Sequence, residues 1–326
     1  MRHQYGCVLM SPPNTLDIAY LVLAHQHSEQ LSRLVEQLRS PAADIFVHVD
    51  AKVPIEPFLR AVGPDVHFTS TRIPVYWADY SQIRAVLRLI EAALAAPRKY
   101  DYLVLLSGVD YPLRSAAEIE NFFAQNKGSE FINWVAMPSA VASKPLSRLT
   151  DYHGRPGLPG RILSKARRLL IKLHFMPRPR DYKAYLGQAA PYAGSTWWAL
   201  SRDACQYIQT FVGQNPRFMK FFENTSSPDE MVFQTILANS PFRSRMRRNL
   251  TYADWSDGAA SPSAIGERHL ALFEANPVLK ADGPYGSGEY LLCRKVMDAT
   301  ISDRLAAIIT ERNVTRREQV FGAARK

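Results

Sequence analysis

The sequence predicts an α/β protein, a mostly parallel sheet flanked by helices. Three observations carry this. Strand-like and helix-like segments alternate through the first half of the chain. The strand-like runs are nearly continuous in apolar residues, as strands covered on both faces should be. No dinucleotide fingerprint or phosphate-binding loop follows the first run, which sets aside two common users of such a sheet.

The elements read in order. Ile18 to His25 (IAYLVLAH) is the first strand. SEQLSRLVEQLRS follows with helical periodicity and Ser28 as its opener. Asp44 to Asp50 (DIFVHVD) is a second strand and VHFTS a short third. SQIRAVLRLIEAALAA is a helix with Ser81 at its cap. Tyr100 to Gly108 (YDYLVLLSG) is the fourth strand, and SAAEIENFFAQN a helix capped by Ser115. From about Ser139 to Tyr192 the chain is rich in Pro, Gly and basic residues. Gly194 to Val212 then reads as a strand running into a helix, and SDRLAAIITERN as a closing helix. Residues 1–135 and 136–326 read as two halves of one continuous domain.

Composition narrows the function classes. Apolar residues make up 47% of the 326 and charged ones 21%, which describes a folded chain and not a disordered one. The formal charge of +10 suits nucleic acid, an anionic membrane or a phosphorylated small molecule. No long Lys/Arg run and no zinc-finger spacing favours the first, so no nucleic-acid partner is expected. Cys7, Cys205 and Cys293 are too few and scattered for a disulfide framework or metal cluster. No stretch is long and apolar enough to span a bilayer. The basic segment ILSKARRLLIKLHF has apolar residues at helical spacing, which fits peripheral contact with a membrane or packing on its own domain.

Ligands of such sheets bind beyond the carboxyl ends of the strands. That rule selects His25, His48, Asp50, Lys52, Gly108 and Asp110. In FVHVDAK, Asp50 suits a ribose or base and Lys52 an anion; a solvated strand end explains them as well. In LLSGVDYPL, Gly108 permits close backbone approach, and Asp110 suits a sugar hydroxyl. A metal-binding D-x-D pair is absent, since only Asp110 is acidic there. PYAGSTWWALS offers Ser195 and Thr196 as hydrogen-bonding groups, and alternation sends Trp197 and Trp198 to opposite faces. EYLLCRKV ends with Arg294 and Lys295, a pair suited to a diphosphate or an exposed basic edge. In NTSSPDEMVFQTIL, Ser227 fits an N-cap, Pro228 the first helical position, and Asp229 and Glu230 the next two. Capping alone accounts for every residue of that stretch.

Taken in order, these blocks resemble the core-2/I-branching β-1,6-N-acetylglucosaminyltransferase family, which includes peptide O-xylosyltransferases and bacterial members. The resemblance runs from about Ile18 to Lys295. Its later blocks are GSTWWALSRDACQYI, SSPDEMVFQTIL, YADWSDG and LLCRKV. It implies a glycosyltransferase-A type fold and inverting, metal-independent transfer from a UDP-sugar, N-acetylglucosamine or xylose, to a glycan hydroxyl. No cofactor and no metal are expected. By resemblance Glu230 is the general base, and Lys295 stabilises the departing diphosphate with Arg294 beside it. His25, His48, Asp50, Lys52, Gly108 and Asp110 fall on the donor side. Ser195, Thr196, Trp198, Asp229 and Trp255 fall on the acceptor side, and Arg268 is one candidate for a further diphosphate arginine. Animal members carry a Golgi anchor and several disulfides. This sequence has neither, so the expectation is a cytoplasmic bacterial enzyme of glycan assembly, peripheral at the inner membrane. The competing readings are an inverting glycoside hydrolase and a non-catalytic carbohydrate-binding protein in which Glu230 is only a cap.

Overall fold

A computed structural model describes residues 16–153, 165–166, 169–173, 175 and 179–323, the last nine of these by backbone alone. Cys7 of the sequence reading lies outside them. The central sheet has seven strands in the order β3-β2-β1-β4-β7-β6-β8. They are β1 (Ile18–Ala24), β2 (Ala43–Val49), β3 (His67–Phe68), β4 (Tyr102–Ser107), β6 (Glu130–Ala136), β7 (Tyr192–Ser201) and β8 (Met246–Arg247). β1 runs parallel to β2 and β4, and β2 to β3. β7 runs antiparallel to both β4 and β6. The sheet is therefore mixed, parallel on the β3–β4 side and antiparallel around β7. Because β7 lies between β4 and β6, strands from both halves of the sequence alternate in one sheet.

Period-two alternation divides the sheet's apolar residues between two cores. Ala19 and Leu21 of β1 join Leu103 and Leu105 of β4 on one face. There they meet Ile83, Val86, Leu89 and Ile90 of α3 (Ser81–Ala95), and the helices Arg202–Gln214 and Val232–Ala238. Ile18, Tyr20 and Val22 of β1 pack with Val104 and Leu106 on the other face. They are covered by Leu31, Leu34 and Leu38 of α1 (Ser28–Leu38), by Phe58 of α2 (Glu56–Ala61) and by Phe122 and Phe123 of α4 (Ala116–Gln125). The near-continuous apolar strands of the sequence follow from this two-sided burial. Gly194 is required where β7 meets the β6 irregularity: a Cβ there would stand 1.7 Å from the Asn133 carbonyl oxygen.

A second sheet, β5-β12-β9, sits at the carboxyl end of β4. β5 (Asp110–Pro112) follows β4 after the turn at Gly108 and pairs antiparallel with β12 (Leu292–Arg294). β12 also pairs parallel with β9 (Thr251–Ala253). A small hairpin-like pair, β10 (Lys280–Ala281) and β11 (Gly288–Glu289), precedes it. The register sets Arg294 opposite Asp110, bringing a residue from near the end of the chain to the mouth of β4. The closing helix spans Ala299–Ala323. No helix among the described residues is long and apolar enough to cross a membrane.

Two helix starts differ from the sequence expectation and a third matches it. α1 begins at Ser28, but the residue before it, His27, is left-handed (φ 55°) and no side chain caps the helix. At α3 the Ser81 hydroxyl accepts from the Tyr76 N–H, and Asp79 accepts from the Ser81 N–H. An Asp two residues earlier takes the local donor, as short carboxylates readily do. At α4 the expected cap is present, with the Ser115 N–H and hydroxyl both donating to Glu118.

Candidate active site

The stretch Ser227–Glu230 departs furthest from helix-start grammar. Ser227 is left-handed (φ 49°) and gives no side-chain cap, and Pro228–Glu230 form one 3₁₀ turn before the helix Val232–Ala238 begins. The turn closes on itself, with the Glu230 N–H donating to the Ser227 carbonyl at 3.1 Å. It is also tied outward, with the Ser227 N–H donating to Ala78, itself left-handed at φ 56°. A reciprocal capping box is thus not formed, and the Glu230 side chain is released to point elsewhere.

It points at two cations. Lys144 Nζ donates to Glu230 Oε2 at 2.6 Å and Arg148 Nη1 donates to the same oxygen at 2.5 Å. Oε1 receives no protein hydrogen bond among the described residues. Lys144 is buried and held by paired backbone bonds with Ser139; Arg148 lies on the short helix Ser147–Thr150. Burial lowers the Lys144 pKa, and the Glu230 charge acts against that. Tyr285 completes this side: burial, then the Glu230 charge, raise its pKa to about 12. The sequence offered no signal for Lys144, Arg148 or Tyr285, which come from a Pro- and Gly-rich stretch and a late loop without periodicity.

Asp229 faces the other way. It is buried, and its Oδ2 accepts from Thr196 Oγ1 at 2.5 Å and from Gln82 Nε2 at 3.2 Å. Its Oδ1 is buried with no partner among the described residues. Burial, reinforced by the Glu230 charge, raises its pKa to about 6. The structure therefore places Asp229 and Thr196 together beneath the turn as supports, not on an acceptor-facing surface. Ser195 uses its carbonyl to accept from Gln234 at 2.7 Å. Trp198 packs edge-on against Phe233 in the core, 2% exposed, and has no surface to offer a sugar. Trp255, by contrast, is 54% exposed.

The residues expected on the donor side gather at the carboxyl ends of β1, β2 and β4. Asp50 Oδ1 accepts from the Lys52 and Val75 N–H groups, and Lys52 Nζ lies 3.4 Å from Oδ2 and over the Tyr76 ring. His48 is buried and its Nε2 accepts from the Ile73 N–H at 2.8 Å; burial lowers its pKa to about 4. A neutral ring with that nitrogen occupied holds the Ile73–Tyr80 loop and is not directed at a ligand. Gly108 sits against β1, where a Cβ would lie 3.4 Å from that of Ala24. His25 stands on the surface at the end of β1; partial burial lowers its pKa, Asp50 opposes this, and Lys52, His27 and Lys295 add to it.

Arg294 and Lys295 close the mouth. Asp110 is wholly buried and accepts from the Ser107 N–H at 3.0 Å and hydroxyl at 2.5 Å. Arg294 Nε lies 3.6 Å from Asp110 Oδ1, and its guanidinium stacks on Trp197 with 4.0 Å to the ring centroid. The fields of both Asp110 and Asp229 act on Arg294, which links the mouth of β4 to the Glu230 turn. Lys295 is half-buried; burial and then Arg294 lower its pKa, with Asp110 opposing. Arg268 is exposed and bound to Asp254 at 2.6 Å. Asp254 is held well below the usual carboxylate range, by the Ser256 N–H first and then by His269 and Arg268. No group of three or more His, Cys, Asp or Glu among the described residues could hold a metal ion.

Residues 18–272 match the profile of the Core-2/I-Branching enzyme family, more than half of the chain. The chain belongs to that family. Among curated relatives of this core-2/I-branching protein is the human β-1,3-galactosyl-O-glycosyl-glycoprotein β-1,6-N-acetylglucosaminyltransferase 3, 26% identical over 67% of this chain and 47% of its own. The corresponding enzyme of bovine herpesvirus 4 is 27% identical over 67% and 46%. The chain spans about half the length of the curated relatives it matches. Mouse xyloside xylosyltransferase 1 aligns over 85% of this chain and 97% of its own, at 10% identity and a TM-score of 0.37. The mixed, helix-flanked sheet is the glycosyltransferase-A-like architecture of the core-2/I-branching family.

Proposed function

We propose that this chain transfers a sugar, N-acetylglucosamine or xylose, from a UDP-sugar to a glycan hydroxyl with inversion at the anomeric carbon. Glu230 is the general base. The observation that carries the reading is the one-sided restraint of Glu230: two cations grip Oε2, while Oε1 has no protein donor among the described residues. A carboxylate so held is fixed in orientation by two charge-assisted hydrogen bonds and has one oxygen to offer an acceptor O–H.

In the reaction, Oε1 takes the acceptor proton as the acceptor oxygen bonds to C1 of the donor sugar. The bond from C1 to the diphosphate oxygen breaks on the opposite face, and its electron pair leaves with UDP. Charge growing on that diphosphate requires fixed cations. Lys295 is assigned this role, and its neighbour Arg294 is held on Trp197 and Asp110. On this reading no metal is needed. Asp50, Lys52 and His25 are assigned to the nucleotide side, with His48 as a support beneath them.

A hydrolase would need a second carboxylate facing Glu230 across a water. Asp229 is buried and bonded to Thr196 and Gln82, which disfavours that arrangement. The test is a screen of UDP-sugars for slow UDP release without acceptor, in the presence of EDTA. Release from UDP-N-acetylglucosamine or UDP-xylose supports the reading. No release from any UDP-sugar, or release only after manganese is added, contradicts it.

A further inference from the structure

The basic stretch at residues 160–180 contains seven Lys or Arg and no Asp or Glu. Of its described residues, those from Lys165 to Phe175 are exposed apart from the half-buried Ile171, and Arg180 is buried. Residues 165–166 and 169–172 are helical, with Leu173 donating its N–H to Leu169 and Phe175 to Leu170. Leu169, Leu170, Leu173 and Phe175 are 56%, 41%, 52% and 77% exposed, and Lys165 and Lys172 are exposed among them. Large apolar side chains left in water beside cations are costly unless something covers them, and this composition matches an anionic lipid surface.

The anchoring of the segment is as informative as its exposure. On its amino side, the His153 N–H donates to the Asn224 carbonyl at 2.9 Å. On its carboxyl side, Arg180 Nη1 donates to the same carbonyl at 2.8 Å, Nη2 donates to Phe221, and the guanidinium stacks on the Phe221 ring at 4.1 Å. The Arg180 N–H donates to Thr150, at the end of the helix that carries Arg148. Both feet of the segment thus stand on Asn224, three residues before the Ser227–Glu230 turn. Whatever holds the segment is held next to Glu230.

We propose that the exposed side chains of Lys165, Leu169, Leu170, Lys172, Leu173 and Phe175 dock on an anionic bilayer and so set the Glu230 turn against acceptors carried at a membrane surface. The acceptor class rests on the transferase reading above; the docking itself does not. Apolar insertion of Leu169, Leu173 and Phe175 supplies the hold, and Lys165 and Lys172 supply attraction to lipid phosphate.

The test is flotation of the full-length protein with vesicles of phosphatidylcholine alone or with roughly a third phosphatidylglycerol. The wild type should float with the anionic vesicles, and weakly or not at all with the neutral ones. Leu169→Ser/Leu173→Ser/Phe175→Ser should reduce that binding about tenfold or more. Lys165→Gln/Lys172→Gln should also reduce it, with a loss that shrinks at high salt. Circular dichroism and slow UDP release should match wild type in both variants; if wild type shows no UDP release, the vesicle result still stands while the transferase reading falls. Equal flotation with both vesicle types, or an unaltered triple-serine variant, overturns the proposal. A wild-type dimer turned monomeric by the triple-serine change, with vesicle binding unaltered, assigns the face to a second copy of the chain and also overturns it.

Discussion

Lys144 and Glu230, 86 positions apart in sequence, meet at 2.6 Å, with the lysine buried and the carboxylate half-exposed. Arg148 reaches the same oxygen, so the site holds a net positive charge around one carboxylate. The arrangement fixes the orientation of the Glu230 carboxylate. It also makes Lys144 a group whose protonation the site depends on.

Burial lowers the Lys144 pKa from the ordinary lysine value, so its charge is lost at lower pH than an exposed lysine's. Activity should therefore fall on the alkaline side as pH rises through that lowered value. Lys144→Arg, whose guanidinium does not titrate there, should move the fall to higher pH. Lys144→Met should lower kcat by roughly ten- to a hundredfold at neutral pH. A pH–rate profile of the three proteins checks this, and identical alkaline limbs would contradict it.

Lys295→Ala should weaken UDP binding by about tenfold or more, the scale of one lost hydrogen bond to a charged group. Calorimetric titration with UDP reads this directly. Unchanged affinity would remove Lys295 from the diphosphate side.

Asp229 gives a prediction for stability. Its native pKa is pushed up to about 6 by burial, above the roughly 3.9 of an unfolded aspartate. Between those values the native state binds more protons than the unfolded one, so this group's contribution to stability declines as pH rises through the window. Asp229→Asn removes that slope. From pH 4 to 7 the variant should gain on wild type by on the order of 2 kcal/mol, read from thermal unfolding at several pH values. A constant difference would show that Asp229 does not titrate there.

Trp198→Ala should cost about 3–5 kcal/mol of folding stability, because the ring fills the core against Phe233. Acceptor KM in the fraction that remains folded should stay near wild type. Selective loss of acceptor binding without loss of stability would return Trp198 to the acceptor side.

The parallel core of the sheet was legible in sequence because two-sided burial leaves nearly continuous apolar runs, as in Ile18–Ala24 and Tyr102–Ser107. The antiparallel insertion of β7 between β4 and β6 was not, since strand order depends on contacts that no local pattern records. At the candidate site, resemblance singled out Glu230 and Lys295, while local grammar described Ser227 as a cap. The observed left-handed Ser227 is set by its tie to Ala78, a tertiary bond invisible to a helix-start rule. His48, Trp198, Thr196 and Asp229 were chosen by strand end or motif, and their burial directs them to support. Lys144 and Arg148 carried no signal because isolated basic residues in a Pro- and Gly-rich stretch look like solvated surface.

The measurement closest to the central claim compares wild type with Glu230→Gln for sugar transfer and for UDP binding. Glutamine preserves shape but accepts no proton, so transfer should fall by about 10²- to 10⁴-fold while UDP affinity stays near wild type. Transfer at the wild-type rate in Glu230→Gln would contradict Glu230 as the base.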